Sequence, residues 1–224
     1  MRQVTALSSA VGIVLVVALS LGCVRWDNQN QVQGSGVAKT EQRDVEKFDQ
    51  LSVTGGMDAV VTIGEQQSVT LQADDNILPI IETRVEDGKL IVEPTQSYSS
   101  KTNVKLTITV PQLKGVAVNG SGDVDVDGLN GAASFAVAIN GSGDVTATGT
   151  ADSVSVAIRG SGDVELKDLQ AKNGKVAVAG SGDVTVNTSE QLDVSVAGSG
   201  DVKYVGSPKV TKSIAGSGSV RKVG

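Results

Sequence analysis

Histidine is absent from this chain, and cysteine occurs once, as Cys23. The first absence removes the commonest general base and the commonest zinc ligand. No Ser-His-Asp or Cys-His triad can be assembled, and one thiol without imidazole cannot furnish an ordinary zinc site. Aromatic residues are scarce too: only Trp26, Phe48, Tyr98, Phe135 and Tyr204. Glycan-processing surfaces commonly stack sugars on aromatic rings, and of these five only Tyr98 and Tyr204 are expected at the surface. Basic residues number 19 against 25 acidic ones, a net charge of −6, with no basic patch in the middle of the chain. Nucleic acid is therefore not an expected partner.

What is abundant is Gly, Val, Ser, Asp and Ala. Val favours strands, whereas Gly and Asp favour tight turns, so the composition points to an all-β chain with many corners. Residues 1–22 stand apart. Arg2 is followed by an uncharged run, Val4–Gly22, with Val11–Ala18 at its centre, and the run ends at Cys23. A short basic start, an apolar middle and a small-residue end describe a secretory signal peptide. Leu19-Ser20-Leu21-Gly22-Cys23 resembles a relaxed bacterial lipobox, although Ser20 and Leu21 depart from its preferred residues. That resemblance implies lipidation at Cys23 and a membrane partner reached through the lipid. Val24, in place of the Asp that marks inner-membrane retention, points to an outer-membrane lipoprotein facing the periplasm or the surface. Polar residues 23–41, with Asn28-Gln29-Asn30-Gln31 and Gly34-Ser35-Gly36, are expected to form a flexible tether.

A head domain is expected over 42–224, divided into irregular first rungs (42–113) and a repeat region (114–224). In the first part, Leu51, Val53, Ala59–Ile63 and Ser68–Leu71 predict short strands. The spacing of Ile77, Ile80, Ile81 and Val85 predicts one or two helical turns, and Asp87-Gly88 predicts a hairpin. Thr95–Asn103 is expected to be a loop. Val104–Val110 alternates as a strand that Pro111 stops.

The repeat is the strongest signal. Gly-Ser-Gly-Asp begins at Gly120, Gly141, Gly160, Gly180 and Gly198, and Gly-Ser-Gly-Ser begins at Gly216. The steps are 21, 19, 20, 18 and 18 residues. Aligned on the first Gly, Val118, Ile139, Ile158, Val178, Val196 and Ile214 fall in one column. Val116, Val137, Val156, Val176 and Val194 form another, which Lys212 breaks. Small residues (Ala117, Ala138, Ala157, Ala177, Ser195) lie between them. Single-residue columns at a fixed period mean that equivalent residues stack, as in a parallel β-helix or related solenoid with rungs of about 18–21 residues.

Glycine on both sides of Ser is expected to supply positive φ at each end of a tight bend, with Asp accepting backbone N–H groups in an Asx-type turn. Stacking would also align Asp123, Asp144, Asp163, Asp183 and Asp201 as a carboxylate ladder at about 4.8 Å intervals, a repulsive arrangement. Backbone N–H groups, water or Ca²⁺ could offset that repulsion. The spacing does not match the calcium-binding nonapeptide repeats. Neither a catalytic nor a cofactor-binding set is expected. Lys212, Ser219, Arg221 and Lys222 change the character of the last rung and are expected to blunt an open edge.

Together, Arg43–Phe48, Leu51–Ala59, Leu90–Val92, Val104–Leu113 and the Gly-Ser-Gly-Asp corners resemble the head GIN domain family of putative autotransporter adhesins. The resemblance covers residues 42–224. It implies a right-handed β-helix-like fold, no catalytic residues, and an adhesin-like role toward an envelope polysaccharide or protein. Two alternatives are a polysaccharide lyase or hydrolase, with Arg159 beside a carboxylate corner, and a self-polymerising envelope scaffold.

Overall fold

A computed structural model describes residues 31–224. The first elements are β1 (Val32–Gln33), β2 (Ala38–Gln42), β3 (Gln50–Gly55), β4 (Asp58–Ile63) and β5 (Ser68–Asp74). A single 3₁₀ turn at Leu78–Ile80 leads into β6 (Ile81–Glu86) and β7 (Lys89–Pro94). Next come β8 (Tyr98–Ser99) and β9 (Lys105–Val110), which ends directly before Pro111. The repeats supply β10 (Gly115–Gly120), β11 (Val124–Ala132), β12 (Phe135–Gly141) and β13 (Val145–Gly160). β14 (Val164–Gly180), β15 (Val184–Gly198), β16 (Val202–Val205), β17 (Lys209–Gly216) and β18 (Val220–Lys222) complete the chain.

These strands coil into a β-solenoid with two principal faces. On the first, β7, β3, β10, β12 and the later halves of β13, β14 and β15 stack in parallel, followed by β17. On the second, β9, β4, β11 and the early residues of β13, β14 and β15 stack in parallel, followed by β16 and β18. Each long strand therefore serves both faces, running from the second face of one rung into the first face of the next.

Register explains the residue columns. On the first face Leu90, Leu51, Val116, Val137, Val156, Val176 and Val194 are mutual partners, as are Val92, Val53, Val118, Ile139, Ile158, Val178 and Val196. All are buried. Leu106, Ala59, Val124, Val145, Val164, Val184 and Val202 make the matching inner column of the second face and are buried too. The core is thus a set of stacked β-branched and Leu side chains that continues through the irregular first rungs. Phe135 and Phe48 both belong to it. Lys212 does fall in register with Val194, and β17 is exposed along most of its length.

At the N-terminal end, antiparallel strands close the stack. β6 pairs with β7 on the first face, and β5 pairs with β9 and then β2 on the second. Here several local expectations need correction. The helical turns expected over 76–85 shrink to Leu78–Ile80, because six residue pairs with β7 draw Ile81–Glu86 into the hairpin. The hairpin itself forms as expected, with Asp87 and Gly88 at φ 50° and 74°. The loop over 95–103 contains β8, paired with β1.

The tether expected over 23–41 is, in its described part, docked on the head. Residues 38–42 pair with β5 over five positions, and Gly34-Ser35-Gly36 wraps the Asp74-Asp75-Asn76 turn. Its polar composition leaves most of these side chains exposed, and strand ladders and side-chain hydrogen bonds hold the segment with little apolar burial. The signal peptide and Cys23 lie outside the described residues.

Candidate functional site

The Gly-Ser-Gly-Asp corners lie one above another where the first face turns into the second. Each first Gly pairs with the first Gly of the adjoining rung, in a series that runs from Gly55 through Gly120 to Gly216. Seven stacked corners span about 29 Å at the strand spacing. The first Gly has positive φ, as at Gly160 (139°). The second does not, and its glycine has another cause. A Cβ at Gly162 would lie 2.1 Å from the carbonyl oxygen of Gly143 in the rung below. Backbone of successive corners packs so closely that no side chain fits between. Ser is the outward, exposed residue of the six corners from Gly120 to Gly216, and Gly56 takes that place in the first.

The aspartates meet the repulsion problem across rungs, not within their own turns. Asp144 N–H donates to Asp123 Oδ1 at 2.9 Å, and Asp163 N–H donates to Asp144 Oδ1 at 2.8 Å. Asp183 donates to Asp163 at 2.7 Å and Asp201 to Asp183 at 2.8 Å. The expected Asx-type turn is therefore replaced by an inter-rung ladder in which each carboxylate accepts the N–H of the next Asp. An ionised acceptor makes each of these bonds stronger than a neutral pair.

Two rungs extend the ladder beyond the five residues picked out by the repeat. At its base, Asp58 Oδ1 accepts from Asp123 N–H at 3.2 Å. Gly55-Gly56-Met57-Asp58 is a worn copy of the corner, with Met57 in place of the second Gly. The first Gly and fourth Asp were the available signal. At the top, Ser219 N–H donates to Asp201 Oδ1 at 2.9 Å. Ser219 replaces Asp on the last described rung, where no further described rung supplies an N–H.

Cations gather at that upper end. Lys203 Nζ lies 3.5 Å from Asp183 Oδ2. The Asp201 carboxyl is held below its ordinary range first by Ser219, through its hydroxyl and then its N–H, and then by Arg221 and Lys203. The basic residues of the last rungs thus offset ladder charge besides fringing the edge. Shorter polar ladders run alongside: Asn140 Nδ2 donates to Asn119 Oδ1 at 3.0 Å, and Thr148 Oγ1 donates to Asp127 Oδ1 at 2.7 Å.

The ladder sets its carboxylates in a row and does not converge them. Among the described residues, no group of three or more His, Cys, Asp or Glu is placed to hold a metal ion. Arg159 stands in an outer column between Asn140 and Ala179. Tyr98 and Tyr204, expected at the surface, are half-buried against the core. The Tyr98 hydroxyl is buried without a hydrogen-bond partner beside a cavity of about 470 Å³ that Asp58 also lines. Burial, and secondarily the charge of Asp58, push the Tyr98 pKa up.

A family profile described as "putative auto-transporter adhesin, head GIN domain" matches residues 47–208, well over half of the chain. The chain belongs to this family. The head GIN match takes in all six ladder aspartates and leaves β17, β18 and residues 31–46 outside it. The chain is similar, at 25% identity, to the crystal structure of a putative adhesin from Bacteroides fragilis NCTC 9343. That likeness covers 86% of this chain and 100% of that one, with a TM-score of 0.69. Putative adhesins from Parabacteroides distasonis ATCC 8503 (19% identity, TM-score 0.59) and Parabacteroides merdae ATCC 43184 (17%, 0.55) share the fold. Each of those likenesses covers 87% of this chain and all of the other. No curated protein matches the chain.

Proposed function

We propose that this head GIN protein is an exported, lipid-anchored cell-envelope protein whose solenoid has a non-enzymatic binding or structural role of the adhesin kind. The observation that carries the reading is the use to which the polar groups are put. Along the corners and outer columns, Asp, Asn and Thr side chains bond the adjoining rung, so the solenoid spends its chemistry on stacking. Catalysis calls for the reverse, groups converging on a point with perturbed acidity. A rigid column with regular outer faces suits recognition of an extended envelope polysaccharide or protein. Membership of the putative adhesin family supports the same class.

Lipidation at Cys23, through the lipobox-like Leu19–Cys23, would place the head at the outer membrane. Metabolic labelling with an alkyne fatty acid, followed by membrane fractionation, tests this. Label and outer-membrane recovery are expected for the natural chain and lost in Cys23→Ser; equal labelling of both would overturn lipidation at Cys23. For the head itself, the chain is screened against envelope polysaccharides for both retention and chain cleavage. Retention without cleavage is expected, whereas release of oligosaccharides would make the protein a lyase or hydrolase.

A further inference from the structure

Residues 31–42 lie against the N-terminal end of the solenoid, and they are held there differently from every core strand. The side chains of Ala38, Lys39, Thr40 and Gln42 are exposed, and Val37 is 59% exposed. Only Val32 packs against the hydrophobic core, and that only in part. What fixes the segment is polar. Asp74 is fully buried, and its Oδ1 accepts Gly36 N–H at 2.6 Å. Its Oδ2 accepts the Ser100 hydroxyl and Lys101 N–H (2.9 Å), which ties the same carboxylate to the 98–102 loop. Asn76 accepts Ser35 N–H at 2.8 Å and donates to Gln33 C=O at 2.7 Å. Gly34 fits because a Cβ there would lie 2.5 Å from Asp74 Oδ2.

A core strand comes away only with loss of stacked apolar contacts, whereas this segment gives up the partial burial of Val32 and otherwise exchanges ladder and clamp hydrogen bonds for water. Local opening of such a unit lies well below global unfolding in free energy. We propose that residues 31–42 are a releasable strap, keyed by Asp74, which opens while the solenoid stays folded and so lengthens the link between the N-terminal segment and the head. Twelve freed residues reach about 40 Å when extended. This use as an adjustable leash rests on the lipid-anchor reading, but the opening itself does not. The strap also lies outside the stretch matched by the family profile.

Hydrogen exchange by mass spectrometry on the isolated full chain tests the opening, and loss of lipidation leaves that readout untouched. Strap amides are expected to exchange at least about tenfold faster than those of β3 and β10, as a separate opening unit should. Asp74→Asn and Asn76→Ala should each quicken strap exchange, and tryptic cleavage at Lys39, while the solenoid stays folded and keeps exchanging more slowly than the strap. Should Asp74→Asn fail to fold, Asn76→Ala decides the matter, since it leaves the buried carboxylate in place. In a Cys23→Ser background, a disulfide between Thr40→Cys and Gln72→Cys, partners in the β2–β5 register, should slow the strap to the solenoid rate until it is reduced. One common exchange rate for strap and solenoid, in the natural chain and in the folded variants, would overturn the proposal.

Discussion

The backbone N–H of Asp183 donates to Asp163 Oδ1 at 2.7 Å, joining two carboxylate-bearing residues that stand on successive rungs. This bond separates the two jobs of the side chain: stacking requires its acceptor oxygen, while its charge acts in two opposed ways, strengthening the bond and repelling the carboxylates of the adjoining rungs. Asp163→Asn, which keeps an acceptor and removes one charge from the row, is expected to leave stability unchanged or raise it by up to about 1 kcal/mol at low salt. Asp163→Ala leaves the Asp183 N–H without its partner and is expected to cost about 1–2 kcal/mol. Urea denaturation of the two variants checks the order, and an equal loss for both would show that charge, not acceptance, holds the corner.

Glycine substitutions should separate backbone conformation from close approach. Gly160→Ala meets both obstacles, a φ of 139° and a Cβ 2.0 Å from the Gly141 carbonyl oxygen. Gly162→Ala meets only the second, at 2.1 Å from Gly143 O. Gly128→Ala meets only the first, with φ 84° and nothing within 4 Å. The first two are expected to destabilise by about 3 kcal/mol or more, and Gly128→Ala by about 1 kcal/mol. Melting temperatures of the three variants give the ranking. Tolerance at Gly162 would refute the close-packing account of the second glycine.

In the core, Ile139 is fully buried between Val118 and Ile158, its partners in the adjoining rungs. Neighbouring rungs are tied by strand ladders and cannot collapse into a void. Ile139→Ala is expected to cost about 2–5 kcal/mol, and Ile139→Val about 0.5–1.5 kcal/mol. Ile214→Ala, in the same column but 38% exposed on β17, should cost less than Ile139→Ala in the same denaturation assay.

Acid should weaken the N-terminal end. The Ser100 hydroxyl, followed by the N–H groups of Lys101, Gly36 and Thr102, holds the Asp74 carboxyl well below the usual carboxylate range, against the opposing effect of burial. A carboxyl depressed in the folded state contributes its stability in full above its unfolded value, near pH 4, and loses it progressively as the pH falls below that. Glu41, lowered chiefly by Lys39, and Asp201, lowered chiefly by Ser219, act in the same direction. The melting temperature is therefore expected to drop by several degrees between pH 5 and about pH 3, and Asp74→Asn should flatten that slope. An unchanged slope in the variant would remove Asp74 as the cause.

The corner and its columns were legible in the linear chain because a solenoid repeats one environment. Every Val or Ile facing the core meets the same neighbours, so identical demands recur at intervals of 18–21 residues. The all-β class, the inward columns, the hairpin at Asp87-Gly88 and the stop at Pro111 all follow from such local rules. Three features did not. Asp was expected to bond within its own turn, yet its partner lies about twenty residues away on the next rung, and only the stacked register decides between the two. The second Gly of each corner has no unusual φ, so its necessity is visible only once the rung below is in place. Gly34-Ser35-Gly36 has the composition of a tether, and only the approach of Asp74-Asp75-Asn76, 38 residues on in the case of Gly36 and Asp74, makes it a strap. Periodicity thus determined which residues face inward. Contacts between rungs and between distant segments, which carry no periodic mark, were decided by the tertiary structure alone.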